Sequence, residues 1–252
     1  MALFESGNPT LSEKMFDKVG HAQANEAGTM SVRGTMNKFG LMLIGVIAGA
    51  GYTWHLIDQN NPSLAQTLMI VGVIGGLITA LAITFKPNWA PALAPAYAIL
   101  EGLFLGAISK MFNDAFYPGI VVQAVGLTFG VAVAMFLLYN FRIIKPTEKF
   151  RSMIMSAMLG IAIFYLLTWV LGLFNVDVSF VRDNSMLSIG ISLFIVAIAA
   201  LNLILDFDMI EQGAERGAPK FMEWYAAFGL MVTIVWLYLE ILRLLSKLSS
   251  RD

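Results

Sequence analysis

Seven apolar stretches follow one another along this chain, and each is long enough to cross a lipid bilayer as a helix. A helix rises about 1.5 Å per residue, so about 20 apolar residues span the hydrocarbon core. Hydrophobic residues make up 58% of the 252 residues and charged residues only 13%. This composition is too apolar for a soluble domain. The sequence therefore predicts an all-α polytopic membrane protein, a bundle of seven transmembrane helices. The predicted spans are Phe39 to Ile57, Leu64 to Phe85, Trp89 to Ile108, Pro118 to Tyr139, Ser152 to Phe174, Met186 to Leu205 and Trp224 to Leu245.

The residues before the first span are polar and mixed in charge. They contain no apolar segment of the kind that begins a cleaved signal peptide. We therefore expect residues 1–36 to form a polar cytoplasmic segment and residues 37–252 to form the transmembrane domain.

The basic residues indicate which way the chain is inserted, because Lys and Arg are enriched in short cytoplasmic loops. With a cytoplasmic N-terminus, eleven of the sixteen Lys and Arg residues fall on the cytoplasmic side and five on the outer side. We therefore expect the N-terminus to be cytoplasmic. Arg243, Lys247 and Arg251 then fall on the outer side, which leaves the side of the C-terminus open.

Several classes of function are excluded or disfavoured by what the sequence lacks. The chain has no cysteine, so disulfides, thiol catalysis and cysteine metal sites are excluded. A net charge of −1 gives no concentrated basic surface for nucleic acid. The seventh span has no central lysine that could form a Schiff base with retinal, and the motifs of intramembrane aspartyl and serine proteases are absent. We therefore expect no enzymatic activity and no cofactor.

A few ionisable or polar residues in or near the apolar spans are the candidate functional residues. A charged side chain at the centre of a membrane helix costs about 2.5 to 3.5 kcal/mol on insertion scales, so its presence indicates a function. Glu101 in the third span has no basic residue within one turn, so it is either protonated or paired across helices. The candidates are Glu101, Asn202, Asp206, Asp208, Glu240 and Arg243.

The sixth span is followed by two aspartates that cannot share a helical face. Asn202 and Asp206 are four residues apart and lie on one face, whereas Asp208 points roughly the opposite way. Asp206 follows the apolar stripe, so we expect Asp208 to be solvated or at the helix end. We expect residues 206–223 to connect the last two spans. Which of the two aspartates takes part in a pair stays open at this point.

Glu240 in the seventh span allows two interpretations. It can pair with Arg243, three residues later on the same helix, near the membrane surface where an arginine reaches water. Alternatively, it faces the bundle interior and meets a carboxylate from the sixth helix. Antiparallel neighbours can place Asp206 and Glu240 at a similar depth.

Six motifs spread over the chain resemble those of a known family. They are NPTLSEKMF, MSVRGTMNKFG, FKPNWAPALAPAYAILEGLFLGAIS, YPGIVVQAVGLTFGV, NLILDFDMIEQGA and VWLYLEILRLLSKL. In combination they resemble the Bax inhibitor (transmembrane Bax inhibitor motif) family, particularly a bacterial branch with an N-terminal extension. The resemblance covers most of the chain.

The resemblance implies a bundle whose last helix is central, in a bacterial inner membrane. It also implies a pH-sensitive calcium leak controlled by one carboxylate on the sixth helix and one on the seventh. Asp206 in DFDMI matches the family's sixth-helix aspartate. Glu240 in LYLE matches the seventh-helix aspartate but has a longer side chain, and Glu101 matches an acidic residue of the EGL motif.

The resemblance and the chemistry of carboxyl groups together lead to a hypothesis of a proton-controlled gate. Two carboxyl groups that meet in a low-dielectric interior cannot both ionise cheaply, so Asp206 and Glu240 are expected to share one proton. When closed, the pair holds the sixth helix to the seventh and seals the pore. Loss of that proton at higher pH makes the two anions repel, which loosens this closure and exposes carboxylate oxygens to a transiently bound calcium ion. The other candidates for the ion pathway are Glu101, Asn202, Asp208 and Arg243.

Two other functions are compatible with the same residues. A membrane-embedded regulator of stress, cell-death or protease pathways would use the carboxylates only structurally and would have no conductance of its own. A proton-coupled transporter would show saturable uptake instead of a leak. The expected partners are the lipid bilayer, calcium ions or protons, and other membrane proteins, but no nucleic acid.

Overall fold

The computed structural model describes residues 28–174 and 183–250. Residues 1–27 of the predicted cytoplasmic segment lie outside this part of the chain, as do Arg182 and Arg251 of the charge count. Within the described ranges there are seven long helices and one short 3-10 helix, Pro87–Trp89. The long helices are α1 (Val32–Asp58), α2 (Pro62–Phe85), α3 (Ala90–Ala115), α4 (Ile120–Asn140), α5 (Glu148–Leu173), α6 (Met186–Glu215) and α7 (Met222–Ser249).

The predicted seven apolar helices are confirmed. Each is long and apolar enough to cross a membrane, which indicates an integral membrane protein in a lipid bilayer. The last two helices are the most buried, with 56% of the most apolar window of α6 and 67% of that of α7 covered, against 11% to 44% in the others. High burial of the last helix agrees with its predicted central position.

Helix α6 continues beyond its predicted end at Leu205 as far as Glu215. The prediction that residues 206–223 connect the last two helices is wrong, because only residues 216–221 separate α6 from α7. An apolar run ends where hydropathy falls, whereas a helix ends where its backbone hydrogen bonds stop. Here the helix ends just before Gly217, whose φ of 67° is left-handed and is typical of a helix C-terminus.

The described chain divides into two compact units. The first contains residues 28–115 and 206–232, and the second contains residues 116–174, 183–205 and 233–250. Helices α6 and α7 each contribute one part to each unit, so the candidate residues are divided between the two.

In the first unit, α1 and α2 pack closely against α3 through glycines. A Cβ atom added to Gly49 of α1 would lie 2.6 Å from the Ile99 carbonyl oxygen, and one added to Gly72 of α2 would lie 2.5 Å from that of Leu100. Real side chains do not fit at these distances. The two glycines therefore allow backbone contact between helices, which stabilises association where lipid gives no hydrophobic driving force.

Replacing Gly49 with Ala is expected to destabilise the protein by about 1 to 3 kcal/mol, because the added methyl group overpacks the α1–α3 contact. Gly51 is the matched control on the same helix, since a Cβ atom there meets no described atom within 4 Å. Gly51→Ala should be neutral or stabilising by up to about 1 kcal/mol, through higher helix propensity. The free energy of unfolding in mixed micelles measures the stability change of both variants. Equal changes in Gly49→Ala and Gly51→Ala would contradict the close crossing of α1 and α3.

The first unit also contains a buried carboxylate, Glu223 in the first turn of α7, that ties this turn to the start of α1. Its Oε1 accepts hydrogen bonds from the Ser31 backbone N–H and hydroxyl, both over 2.9 Å, and from Lys220 Nζ over 2.8 Å. Its Oε2 forms an ion pair with Lys38. Beside it, Thr29 and Pro219 form an isolated antiparallel bridge. The Glu223 carboxylate therefore joins the start of α1 to the start of α7 through hydrogen bonds and ion pairs.

The second unit has an apolar core between α5 and α6. Its buried members are Ile154, Ile161, Ile195, Ile198 and Leu205. Partly buried side chains pack against this cluster, among them those of Tyr165 and Trp236. The Tyr165 side chain therefore has one side packed against this apolar core.

Candidate functional site

Glu240 lies in a polar cluster of the second unit. The Tyr165 hydroxyl of α5 donates a hydrogen bond to Glu240 Oε1 over 2.8 Å. Arg243 Nη1 lies 3.0 Å from both carboxylate oxygens and donates to the Tyr165 hydroxyl over 2.5 Å. The intrahelical pair of Glu240 with Arg243, one of the two interpretations of the sequence, is therefore confirmed.

The two members of this ion pair differ in exposure. The Glu240 side chain is 3% exposed and that of Arg243 is 42% exposed, so the anion is covered while the cation reaches the surface of the unit. Charge-assisted hydrogen bonds of this length are among the stronger polar contacts in proteins. The Tyr165 hydroxyl bridges the two charges and therefore fixes their geometry as well as contributing a hydrogen bond.

Asp206 and Asp208 are both buried in the first unit, with exposures of 0% and 7%. The prediction that Asp208 is solvated or at the helix end is therefore wrong. Residues 202–210 are all buried, so this part of α6 is covered on every side and has no solvated face. Asp208 Oδ2 accepts a hydrogen bond from Gln212 Nε2 over 2.7 Å, and Gln212 Oε1 accepts one from Arg216 over 3.0 Å.

Asn202 and Glu101 have hydroxyl partners. In the second unit, Asn202 Nδ2 donates to Thr233 Oγ1 over 3.2 Å, which joins α6 to α7. In the first unit, Glu101 is hydrogen-bonded to Tyr97, one turn earlier on α3. A Cβ atom added to Gly76 of α2 would lie 3.2 Å from Glu101 Oε2, so α2 packs directly over this carboxyl group. Tyr97 is not basic, so it gives no signal in the sequence as a partner of a carboxylate.

The candidate residues are thus only partly brought together. Glu240 contacts Arg243 in the second unit, while Asp206, Asp208 and Glu101 belong to the first. The pairing of Asp206 with Glu240 stays a prediction. Among the described residues, no three His, Cys, Asp or Glu side chains form a group that could hold a metal ion, so transient binding of calcium also stays a prediction.

Sequence reasoning also missed Tyr165 and Glu223. Tyr165 is 75 positions before Glu240, and a tyrosine in an apolar span gives no signal of a distant partner. Glu223 lies next to the predicted start of the seventh span, in the segment predicted to connect the last two spans. Its partner Lys38 is 185 positions away, and from the sequence it is only one of the basic residues that indicate topology.

The sequence model of the family described as "Bax inhibitor 1 like" matches residues 8–250, nearly the whole chain. A search among curated proteins found no match. The matched range includes all seven helices and every candidate residue from Glu101 to Arg243.

Proposed function

The chain belongs to the Bax inhibitor 1 like family, and on this premise we propose that it is a pH-sensitive calcium leak in the membrane. The proposed gate consists of Asp206 on α6 and Glu240 on α7, which share one proton when the leak is closed. The observation that supports it best is burial: Asp206 is 0% exposed and Glu240 is 2% exposed, in the two most buried of the seven apolar helices.

Buried carboxyl groups in membrane helices are costly, so they persist where they serve a function. At Glu240 the neighbouring polar groups are the Arg243 guanidinium and the Tyr165 hydroxyl. In the proposed mechanism, loss of the shared proton leaves two anions whose repulsion separates α6 from α7. The carboxylate oxygens then become ligands for calcium, a hard cation that binds oxygen.

The test is calcium flux through the purified protein in liposomes that contain a calcium indicator. The flux is expected to rise as pH increases from mildly acidic to mildly alkaline, because deprotonation opens the gate. Liposomes without protein are the control for passive leak. No protein-dependent flux at any pH would favour the alternative function, a membrane-embedded regulator without its own conductance. Saturable uptake that depends on a proton gradient would indicate a transporter.

We further propose a bacterial inner membrane, which the resemblance to a bacterial branch of the family implies, and a cytoplasmic N-terminus, which the distribution of Lys and Arg supports. The absence of cysteine from the chain allows a direct test with single-cysteine variants. Lys145→Cys, between α4 and α5, should be labelled by a membrane-impermeant maleimide only from the cytoplasmic side. Gln59→Cys, between α1 and α2, should be labelled only from the outer side, and the reverse pattern would overturn the proposed orientation.

A further inference from the structure

A short segment before α1, residues 28–31, pairs with the turn between α6 and α7, and we call this segment the strap. The Met30 backbone N–H donates a hydrogen bond to the Ala218 carbonyl over 2.7 Å, and the Lys220 backbone N–H donates one to the Gly28 carbonyl over 3.1 Å. Met30 is 3% exposed and Ala218 is 6% exposed. The strap is therefore packed onto the turn as well as hydrogen-bonded to it.

The turn has a sequence that suits this pairing. Thr29 and Pro219 lie opposite each other, between the two hydrogen bonds. Residues at such a position exchange no backbone hydrogen bond with each other, so a proline, which has no N–H, fits there without loss of a bond. Pro219 is buried and Thr29 is exposed, so the proline side lies against the protein.

Glu223 fastens the other end of the strap. Its Oε1 accepts hydrogen bonds from the Ser31 backbone N–H and hydroxyl, both over 2.9 Å. The carboxylate lies so close to Gly34 of α1 that a Cβ atom added there would overlap it. Helix α1 begins at Val32, directly after Ser31. No residue therefore separates this anchor from the helix, and a movement of the turn away from the strap is also a movement away from α1.

The turn that the strap holds joins the two helices of the proposed gate. It contains only residues 216–221, so a restraint on it acts on the end of α6 and the start of α7 together. Asp206 lies nine residues before the end of α6 at Glu215, or about 14 Å along the helix axis. Opening of the proposed gate requires α6 to separate from α7. A strap that ties their common turn to α1 opposes this separation.

We propose that the strap is an autoinhibitory contact. It holds the leak closed while it is paired with the α6–α7 turn, and it detaches from the turn when the leak opens. Each of its hydrogen bonds contributes little to stability by itself, so the strap can open locally while the helices stay folded. This inference rests on the proposed leak function and adds a second control to the carboxylate pair.

A reversible disulfide tests the strap. The double variant Thr29→Cys with Pro219→Cys joins a non-hydrogen-bonded pair, whose Cα atoms lie about 4.5 Å apart, a separation that a disulfide spans. The chain has no cysteine of its own, so this cross-link is unique. Calcium flux into liposomes at mildly alkaline pH should fall by at least about tenfold on oxidation, because a disulfide of native geometry stabilises a contact by more than this factor. Reduction should restore the flux.

The two single-cysteine variants are the matched controls, because one cysteine cannot form this cross-link within a chain and oxidation should leave the flux unchanged. Equal flux from the oxidised and the reduced double variant, with the disulfide verified by mass spectrometry, would overturn the strap and leave the proposed leak standing. Absence of flux from the native protein at any pH would overturn the leak itself, and the strap with it.

Two alanine variants of α1 decide the matter if the double-cysteine variant fails to fold. Gly34→Ala places a methyl group where the Glu223 carboxylate lies and displaces it from Ser31. Flux at mildly acidic pH should then rise by at least about threefold, because overpacking weakens the closed contact. Gly40→Ala is the control on the same helix, since a Cβ atom there meets no described atom within 4 Å. Equal flux from these two variants would overturn the proposal.

Discussion

Replacement of Glu240 by Gln is expected to remove most of the pH dependence of calcium flux. In the native protein, release of one shared proton can change the open fraction by up to about tenfold per pH unit, the limit for a single titrating group. A glutamine side chain cannot ionise, so the variant should conduct at a nearly constant rate across the pH range in which the native flux rises. Flux of calcium into liposomes at a series of pH values measures this directly.

The same experiment on Asp206→Asn decides whether the two carboxyl groups act as one unit. If they share a proton, either single variant removes the pH response and the double variant adds little, because coupled groups give non-additive effects. Asp208→Asn tests which aspartate of α6 is the partner. Glu215→Gln, an exposed carboxylate near the end of the same helix, is the control and should keep the native profile. Native pH dependence in both Glu240→Gln and Asp206→Asn would refute the gate.

The seven helices could be predicted from the sequence because a bilayer requires about 20 apolar residues per crossing. The end of α6 could not be predicted in this way. Its apolar run stops at Leu205, but nothing in residues 206–212 breaks a helix, and the backbone continues its hydrogen bonds to Glu215. The assignment of Asp208 to a solvated face failed for a related reason. A helix that is buried on every side has no polar face from which orientation can be read.

The polar clusters were predictable only where both partners lie on one helix. The Glu240–Arg243 pair follows from a spacing of three residues, and the structure contains it. Contacts between distant positions have no such signal: Tyr165 with Glu240 spans 75 positions, and Lys247 with Ser188 spans 59. From the sequence, Lys247 is only one of the basic residues that indicate topology. In a membrane protein, the sequence shows the charge of a basic residue near a helix end, whereas its hydrogen-bond partners appear only in the folded chain.

Glu223→Gln is expected to destabilise the folded protein by about 3 kcal/mol, the lower end of the range for breaking a buried ion pair. The glutamate accepts hydrogen bonds from Ser31 and ion-pairs with Lys38 and Lys220. Glutamine keeps the size of the side chain but removes its charge and turns one acceptor into a donor. The Lys38 side chain, which is only 17% exposed, then loses its counter-ion. The free energy of unfolding in mixed micelles measures the loss.

Glu148→Gln separates this effect from the general preference for an acidic residue at a helix N-terminus. Glu148 also lies in the first turn of its helix, but its side chain is 82% exposed and lies 3.9 Å from Arg151. Both substitutions remove a negative charge from the N-terminal end of a helix, where it is worth about 0.3 to 1 kcal/mol, so Glu148→Gln should cost no more than about 1 kcal/mol. If the two variants lose equal stability, the helix dipole accounts for the whole effect. A larger loss at Glu223 means that this buried anion holds the start of α1 against the start of α7.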